Sequence, residues 1–144
     1  MSDNVKKEDR EAWANQLSPL TLAYMGDAAY EYFVRSELIR LHPNETPHDL
    51  HIRATQIVRA SAQAATVVAV FEDLTEQERS LYRRGRNAKS ASVPKNADVA
   101  HYRMATGFET LIGFLQLSGA DQRLQELLQM VQRRTWKEFE HEQG

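Results

Sequence analysis

Apolar residues recur at helical spacing along most of the chain, and the breaks between these stretches fall at proline, glycine and clustered polar residues. Ser18 followed by Pro19 is a typical helix start, because serine caps a helix and proline fits its first position. The pattern predicts a helix over 20–41, which His42 and Pro43 end. Its first half is apolar on almost every side, which is typical of a central, buried helix.

Five further helices are expected downstream, at 48–60, 61–71, 75–84, 98–117 and 121–138. Thr75 and Glu78 have the spacing of a capping box, and Gly119 suits the end of the helix over 98–117. Because residues 66–68 are β-branched, a strand is an alternative to a helix in the segment 61–71. The expected architecture is all-α, one domain over 1–144 with six or seven helices.

Composition narrows the class of protein. The chain has 144 residues, of which 42% are hydrophobic, and it has no cysteine. Disulfide frameworks, cysteine-based zinc sites and thiol catalysis are therefore excluded. Residues 1–10 are polar, lack a signal-peptide pattern and are expected to be flexible. The longest apolar run, 64–71, is too short to span a bilayer, so we expect a cytoplasmic protein without membrane association.

Positive charge is concentrated in residues 83–103, although the whole chain carries a net charge of −2. Much of this segment, residues 85–97, has loop composition. A basic cluster on an acidic protein is either a polyanion site or a solvated surface loop. The side chains expected to bind RNA, here called the basic tract, are Arg83, Arg84, Arg86, Asn87, Lys89, Lys95, Asn96 and Arg103.

Two carboxylates stand out within apolar helices. Asp27 follows Gly26 in the middle of the first predicted helix, and Glu109 lies beside an apolar stripe between Gly107 and Gly113. A core-bonded aspartate and a solvent-facing glutamate are the simpler explanations. Together, the two residues could also hold Mg²⁺, which needs only one or two protein carboxylates. With a basic tract nearby, that arrangement points to hydrolysis of phosphodiesters.

Three motifs resemble the ribonuclease III family. Residues 22–30 (LAYMGDAAY) resemble its signature helix, and residues 107–113 (GFETLIG) resemble its second acidic helix. Residues 83–88, 94–97 and 102–109 resemble the Mini-ribonuclease III branch in particular. The motifs occur in order, and the likeness covers about residues 16–135.

The resemblance implies an all-α endoribonuclease that acts as a homodimer on double-stranded RNA, uses Mg²⁺ and leaves 5′-phosphate ends. Asp27 matches the family's catalytic aspartate and Glu109 its metal-binding glutamate. For the Mini-III branch, it implies maturation of the large-subunit (23S) ribosomal RNA precursor, with a ribosomal protein as a conceivable helper.

The chain departs from ribonuclease III at three acidic positions, which are Leu20, Ala23 and Thr106 here. We therefore expect one firmly held Mg²⁺ per subunit, with Thr106 and Glu31 as candidates for supporting contacts. Glu31 could instead pair with Arg35. We expect no double-stranded-RNA-binding domain, and the basic tract is therefore expected to bind the RNA.

Two other functions stay open from the sequence. The missing carboxylates would suit a non-catalytic RNA-binding or ribosome-assembly module of the same fold. An all-α nucleotide pyrophosphohydrolase would need clustered helical carboxylates, and the only such pair, Glu76 and Glu78, is explained by helix capping.

Overall fold

The computed structural model describes residues 6–89 and 93–141, and this part of the chain is helical throughout apart from short connections. The all-α prediction is confirmed, and the run 66–68 is helical, not a strand. The helices within these residues are α1 (Lys7–Gln16), α2 (Pro19–Leu41), α3 (Pro47–Val58), α4 (Ala60–Val70), α5 (Glu76–Arg86), α6 (Val99–Leu117) and α7 (Asp121–His141).

Side-chain caps fix where four of these helices begin. In each case a hydroxyl or carboxylate oxygen accepts a hydrogen bond from a backbone N–H in the first turn, which satisfies a donor that the helix itself cannot pair. The capping box at Thr75 and Glu78 is confirmed in both directions. The capping residues are Ser18, Thr46, Thr75 and Asp98.

The structure differs from the sequence expectation at the amino-terminal end and in α5. A helix, α1, occupies Lys7–Gln16, where flexibility was expected up to residue 10; residues 1–5 lie outside the described part. Arg10 donates from Nε to the Leu117 carbonyl at 2.9 Å, and Ala14 is fully buried, so α1 is held by contacts distant in sequence. Helix α5 ends at Arg86, two residues later than expected.

Helix α6 lies at the centre of the domain and contacts α1, α2, α4, α5 and α7. Its side chains Phe108, Leu111 and Ile112 are fully buried. The expectation that the first half of α2 is central holds for Leu22, which is fully buried, but Tyr24 on the same helix is 82% exposed. Helix α2 therefore packs on α6 along one side and leaves the other open. No helix in the described ranges has the length and hydropathy needed to cross a membrane.

Candidate active site at the crossing of two helices

Glycines let α2 and α6 cross with their backbones in contact. A Cβ atom added to Gly26 would overlap the Glu109 carbonyl group and lie 2.9 Å from the Gly113 nitrogen. A Cβ added to Gly113 would overlap the Leu22 carbonyl group in the same way. Only glycine allows so close an approach, because it has no side chain to keep the helices apart. The crossing therefore brings the residue after Gly26, which is Asp27, beside Glu109.

The Asp27 and Glu109 side chains meet at this crossing, within reach of a hydrogen bond when Glu109 is protonated. Asp27 is exposed, whereas Glu109 is only partly accessible to solvent. Burial, and then the neighbouring charge of Asp27, raises the pKa of Glu109 to about 8. Two neighbouring carboxylates repel each other when both are ionised, and a divalent cation between them would relieve the repulsion. The donor set thus fits a hard cation such as Mg²⁺.

Glu31 and Gln63 complete the surroundings of Glu109. Glu31 lies one turn after Asp27, and its charge adds to the raised pKa of Glu109. It also forms the ion pair with Arg35 that the spacing allowed, at 3.4 Å. Gln63 on α4 donates from Nε2 to Glu109 Oε2 at 3.5 Å. Sequence reasoning missed Gln63; the signal was a lone amide within the alanine- and valine-rich segment over 60–70.

The positions where the chain lacks the family's acidic residues do not add charge to the site. Thr106 lies one turn before Glu109, and its hydroxyl donates to the Tyr102 carbonyl at 3.0 Å. Leu20 lines a neighbouring groove, and Ala23 is buried. Among residues 6–89 and 93–141, no group of three or more histidine, aspartate or glutamate side chains is arranged to hold a metal ion. The candidate site therefore rests on two carboxylates.

The basic tract divides into residues engaged in the fold and residues open to solvent. Arg84 donates to Asn15 Oδ1 at 3.2 Å and to the Leu17 carbonyl at 3.4 Å, so it ties α5 to the chain before α2. Arg83 pairs with Glu76 at 3.3 Å. The guanidinium of Arg86 lies 5.5 Å from the centre of the Tyr82 ring. The exposed members are Arg83, which is also paired with Glu76, and Asn87, Lys89, Lys95, Asn96 and Arg103.

A groove of about 270 Å³ connects the open part of the basic tract with the helices of the site. Lys89 and Arg103 line it from the two sides of the loop between α5 and α6, and Thr106 lines it one turn before Glu109. Residues 90–92 of this loop lie outside the described part of the chain. The groove brings Lys89 beside α6, the helix that carries both Arg103 and Glu109.

The acidic pair on α5 has a structural task. Glu78 closes the capping box and is held by Arg123, whose Nε and Nη2 each lie 2.8 Å from a carboxylate oxygen. Glu76 pairs with Arg79 and Arg83. These contacts confirm the capping explanation and leave no support in the described residues for a pyrophosphohydrolase cluster.

Comparison with known proteins decides the family. A model of the ribonuclease III domain matches residues 20–120, a range that contains both Asp27 and Glu109. The chain belongs to the ribonuclease III family. The resemblance to its Mini-III branch is confirmed by relatives named Mini-ribonuclease 3. The protein of Symbiobacterium thermophilum is 51% identical over 113 residues, covering 78% of this chain and 86% of the relative.

Two further comparisons extend this match. Mini-ribonuclease 3 of Brevibacillus brevis is 44% identical over 127 residues, covering 88% of this chain and 94% of its own length. A crystal structure of a Fusobacterium nucleatum protein matches the fold with a TM-score of 0.72 and 25% identity, over 82% of this chain and 93% of that one. The chain is therefore an endoribonuclease of a family that acts on double-stranded RNA with divalent metal ions.

Proposed function

We propose that this protein is a Mg²⁺-dependent, homodimeric endoribonuclease of the cytoplasm that cleaves double-stranded RNA in the precursor of the large-subunit (23S) ribosomal RNA. The observation that carries the metal chemistry is the contact between Asp27 and Glu109 at the crossing of α2 and α6. The substrate follows from the similarity to Mini-ribonuclease 3 proteins. The whole chain, 1–144, is proposed as one catalytic domain.

In this mechanism Asp27 and Glu109 would hold one Mg²⁺ per subunit. When bound, the ion would supply a water of lowered pKa and would offset negative charge on the phosphoryl oxygens. Glu109 would give up its proton to act as a ligand, because a ligating carboxylate must be ionised. Thr106 and Glu31 lie one helical turn from the two ligands, where they could hold bound water in place.

The basic tract would position the RNA backbone. Double-stranded RNA is recognised mainly by shape, through phosphates and 2′-hydroxyl groups. Lys89 and Arg103 are best placed for this task, because they are exposed and line the groove beside Thr106. Arg84 is the least suited, because its guanidinium is already hydrogen-bonded to the chain near residues 15–17.

The open side of α2 supports the homodimer. Tyr24 and Tyr32 are 82% and 76% exposed on the helix that carries Asp27. Large apolar side chains exposed along one helix favour an interaction surface. A second copy of the chain is the partner that the family resemblance implies.

The decisive experiment is a cleavage assay on duplex RNA with wild type, Asp27→Asn and Glu109→Gln, each with Mg²⁺ and with EDTA. We expect wild type to cut only with Mg²⁺, and both variants to bind RNA without cutting and to melt at or above the wild-type temperature, because each removes one of two neighbouring acidic groups. Glu138→Gln, on the exposed side of α7, is the matched control and should cut normally. Cleavage in EDTA, or full cleavage by Asp27→Asn, would refute the two-carboxylate site.

The substrate proposal has its own test. Cells that lack the protein should accumulate large-subunit ribosomal RNA with unprocessed ends, and wild type but not Asp27→Asn should restore them. Normal ends in those cells would exclude this substrate while leaving the nuclease activity in place. A ribosomal-protein helper would be detected as faster cleavage of the precursor bound to that protein than of the naked RNA.

A further inference from the structure

Gln63 is an unusual residue for its position. It lies on α4 in an alanine- and valine-rich segment, and only 3% of its surface is exposed. Glutamine is mostly found at the surface, because burying an amide is costly unless its polar atoms are hydrogen-bonded. A buried glutamine in such a segment therefore has a specific partner to hold.

The hydrogen bonds of Gln63 identify the partners. Its Nε2 atom donates to the Val58 carbonyl at 2.8 Å and to Glu109 Oε2 at 3.5 Å. Both partners are acceptors, so the nitrogen must face them and the amide cannot be turned over. The Oε1 atom is left buried without a hydrogen-bond partner in the described residues. A leucine or methionine would avoid that orphaned oxygen, so what the position gains from glutamine is its donor nitrogen.

We propose that Gln63 is a positioning residue that fixes the carboxylate of Glu109 for binding the divalent cation. The Val58 carbonyl holds the amide in place, and the amide in turn holds one oxygen of Glu109, which leaves the other oxygen for the cation. The donor is neutral, so it orients the carboxylate and leaves its negative charge available to the cation. A lysine or arginine at this position would instead neutralise that charge. This inference rests on the proposed role of Glu109 as a metal ligand.

The test compares Gln63→Met with wild type. Methionine matches glutamine in length but has no donor. Mg²⁺ alone is titrated into the free protein and followed by NMR. We expect about tenfold weaker binding, the low end of the effect of removing a residue that orients a metal ligand. In cleavage assays, kcat at limiting Mg²⁺ should fall and recover at saturating Mg²⁺, while KM for duplex RNA stays the same.

The control is Thr66→Val, which removes a buried polar group from the same helix, next to Tyr30. It should bind Mg²⁺ like wild type. Equal Mg²⁺ affinity of Gln63→Met and wild type would overturn the proposal. So would an equal loss of affinity in Thr66→Val, because that would indicate a general effect of altering α4.

A second measurement needs no metal and no change at residue 63. The side-chain amide protons of Gln63 should change their NMR shifts in Glu109→Leu, because leucine has no oxygen to accept the hydrogen bond, but not in Glu138→Leu. Unchanged shifts in Glu109→Leu would overturn the proposal even if Gln63→Met failed to fold. Failure of the metal site itself is recognised separately, since wild type would then bind no Mg²⁺ at all.

Discussion

Replacing Gly26 by alanine tests the physical basis of the site. The added Cβ would lie 2.6 Å from the carbonyl carbon of Glu109. Carbon atoms in contact prefer about 3.5–4.0 Å, so α2 and α6 would have to separate by about 1 Å. The obstacle is backbone, which belongs to the hydrogen-bonded ladder of α6 and cannot rotate away as a flexible side chain would.

The size of the effect follows from two opposing contributions. Alanine favours a helix over glycine by about 1 kcal/mol. Overpacking in a well-packed core costs about 1–3 kcal/mol, occasionally more, and contact with backbone belongs at the upper end. We expect Gly26→Ala to lower the free energy of unfolding by about 2 kcal/mol, or the melting temperature by about 4–8 °C for a domain of this size. Cleavage should fall much more, because the same separation moves Asp27 away from Glu109.

The assays are thermal unfolding and duplex-RNA cleavage at a temperature where every variant is folded. Gly113→Ala should behave like Gly26→Ala, and the double variant should lose less stability than the sum, because one separation of the helices relieves both overlaps. Ser36→Ala, on the exposed side of α2, is the control for helix propensity and should not be destabilised. A Gly26→Ala protein that is as stable and as active as wild type would refute the reasoning.

The remaining predictions concern three separate parts of the molecule. Asp27→Asn should lower the pKa of Glu109 from about 8 towards 4.5, seen in an NMR carboxyl titration without metal, because a neighbouring negative charge is removed; an unchanged pKa would contradict the contact. At low salt, the free energy of unfolding of wild type should include a component that decreases as pH rises from about 4.5 to about 8, because Glu109 stays protonated to higher pH in the folded state than in the unfolded state. Mg²⁺ should bind more tightly as pH rises, because a ligating carboxylate must be ionised. Arg123→Met should cost about 3 kcal/mol, because it leaves the nearly buried Glu78 carboxylate without its partner. Burial opposes the charged form of Glu78, but Arg123 and the Thr75 backbone outweigh burial and hold the pKa of Glu78 low. The contribution of the Glu78–Arg123 pair to the free energy of unfolding, measured in urea titrations, should therefore disappear as pH falls below about 4.5. A stability loss in Arg123→Met that does not depend on pH would contradict this. Tyr24→Glu should convert the proposed dimer to monomer in light scattering, whereas Gln129→Glu on α7 should not; a dimeric Tyr24→Glu protein would exclude this face as the interface.

The sequence predicts most of the fold because the helix boundaries carry local signals. Ser18, Thr75 and Asp98 cap helices that begin where the pattern places them. Helix α1 escaped prediction because its pattern is mostly polar, and what fixes it is the docking of Ala14 and Arg10 against distant residues. Contacts of this kind leave no periodic trace in the sequence.

The candidate site was predictable only in part. Asp27 and Glu109 stood out because carboxylates within apolar helices are rare, and the structure brings them together. The basic tract was predicted from composition, which cannot separate Arg84, already bound to the chain near α1, from the exposed Arg103. Gln63 was missed because its importance lies in a contact between α4 and α6 that spacing along the chain does not reveal.

Burial and nearby cations influence what further carboxylates would do in this chain. Ala23 lies on α2, and only 8% of its surface is exposed. A glutamate there would bury its charge at a cost, unless a bound cation paired with it. Leu20 is 39% exposed and lines the groove with Lys89 and Arg103, so a carboxylate at this position would face the two cations proposed to bind RNA. With two carboxylates the site keeps the close crossing and leaves the groove positive, and these are the two features on which the proposed metal-dependent cleavage of an RNA duplex depends.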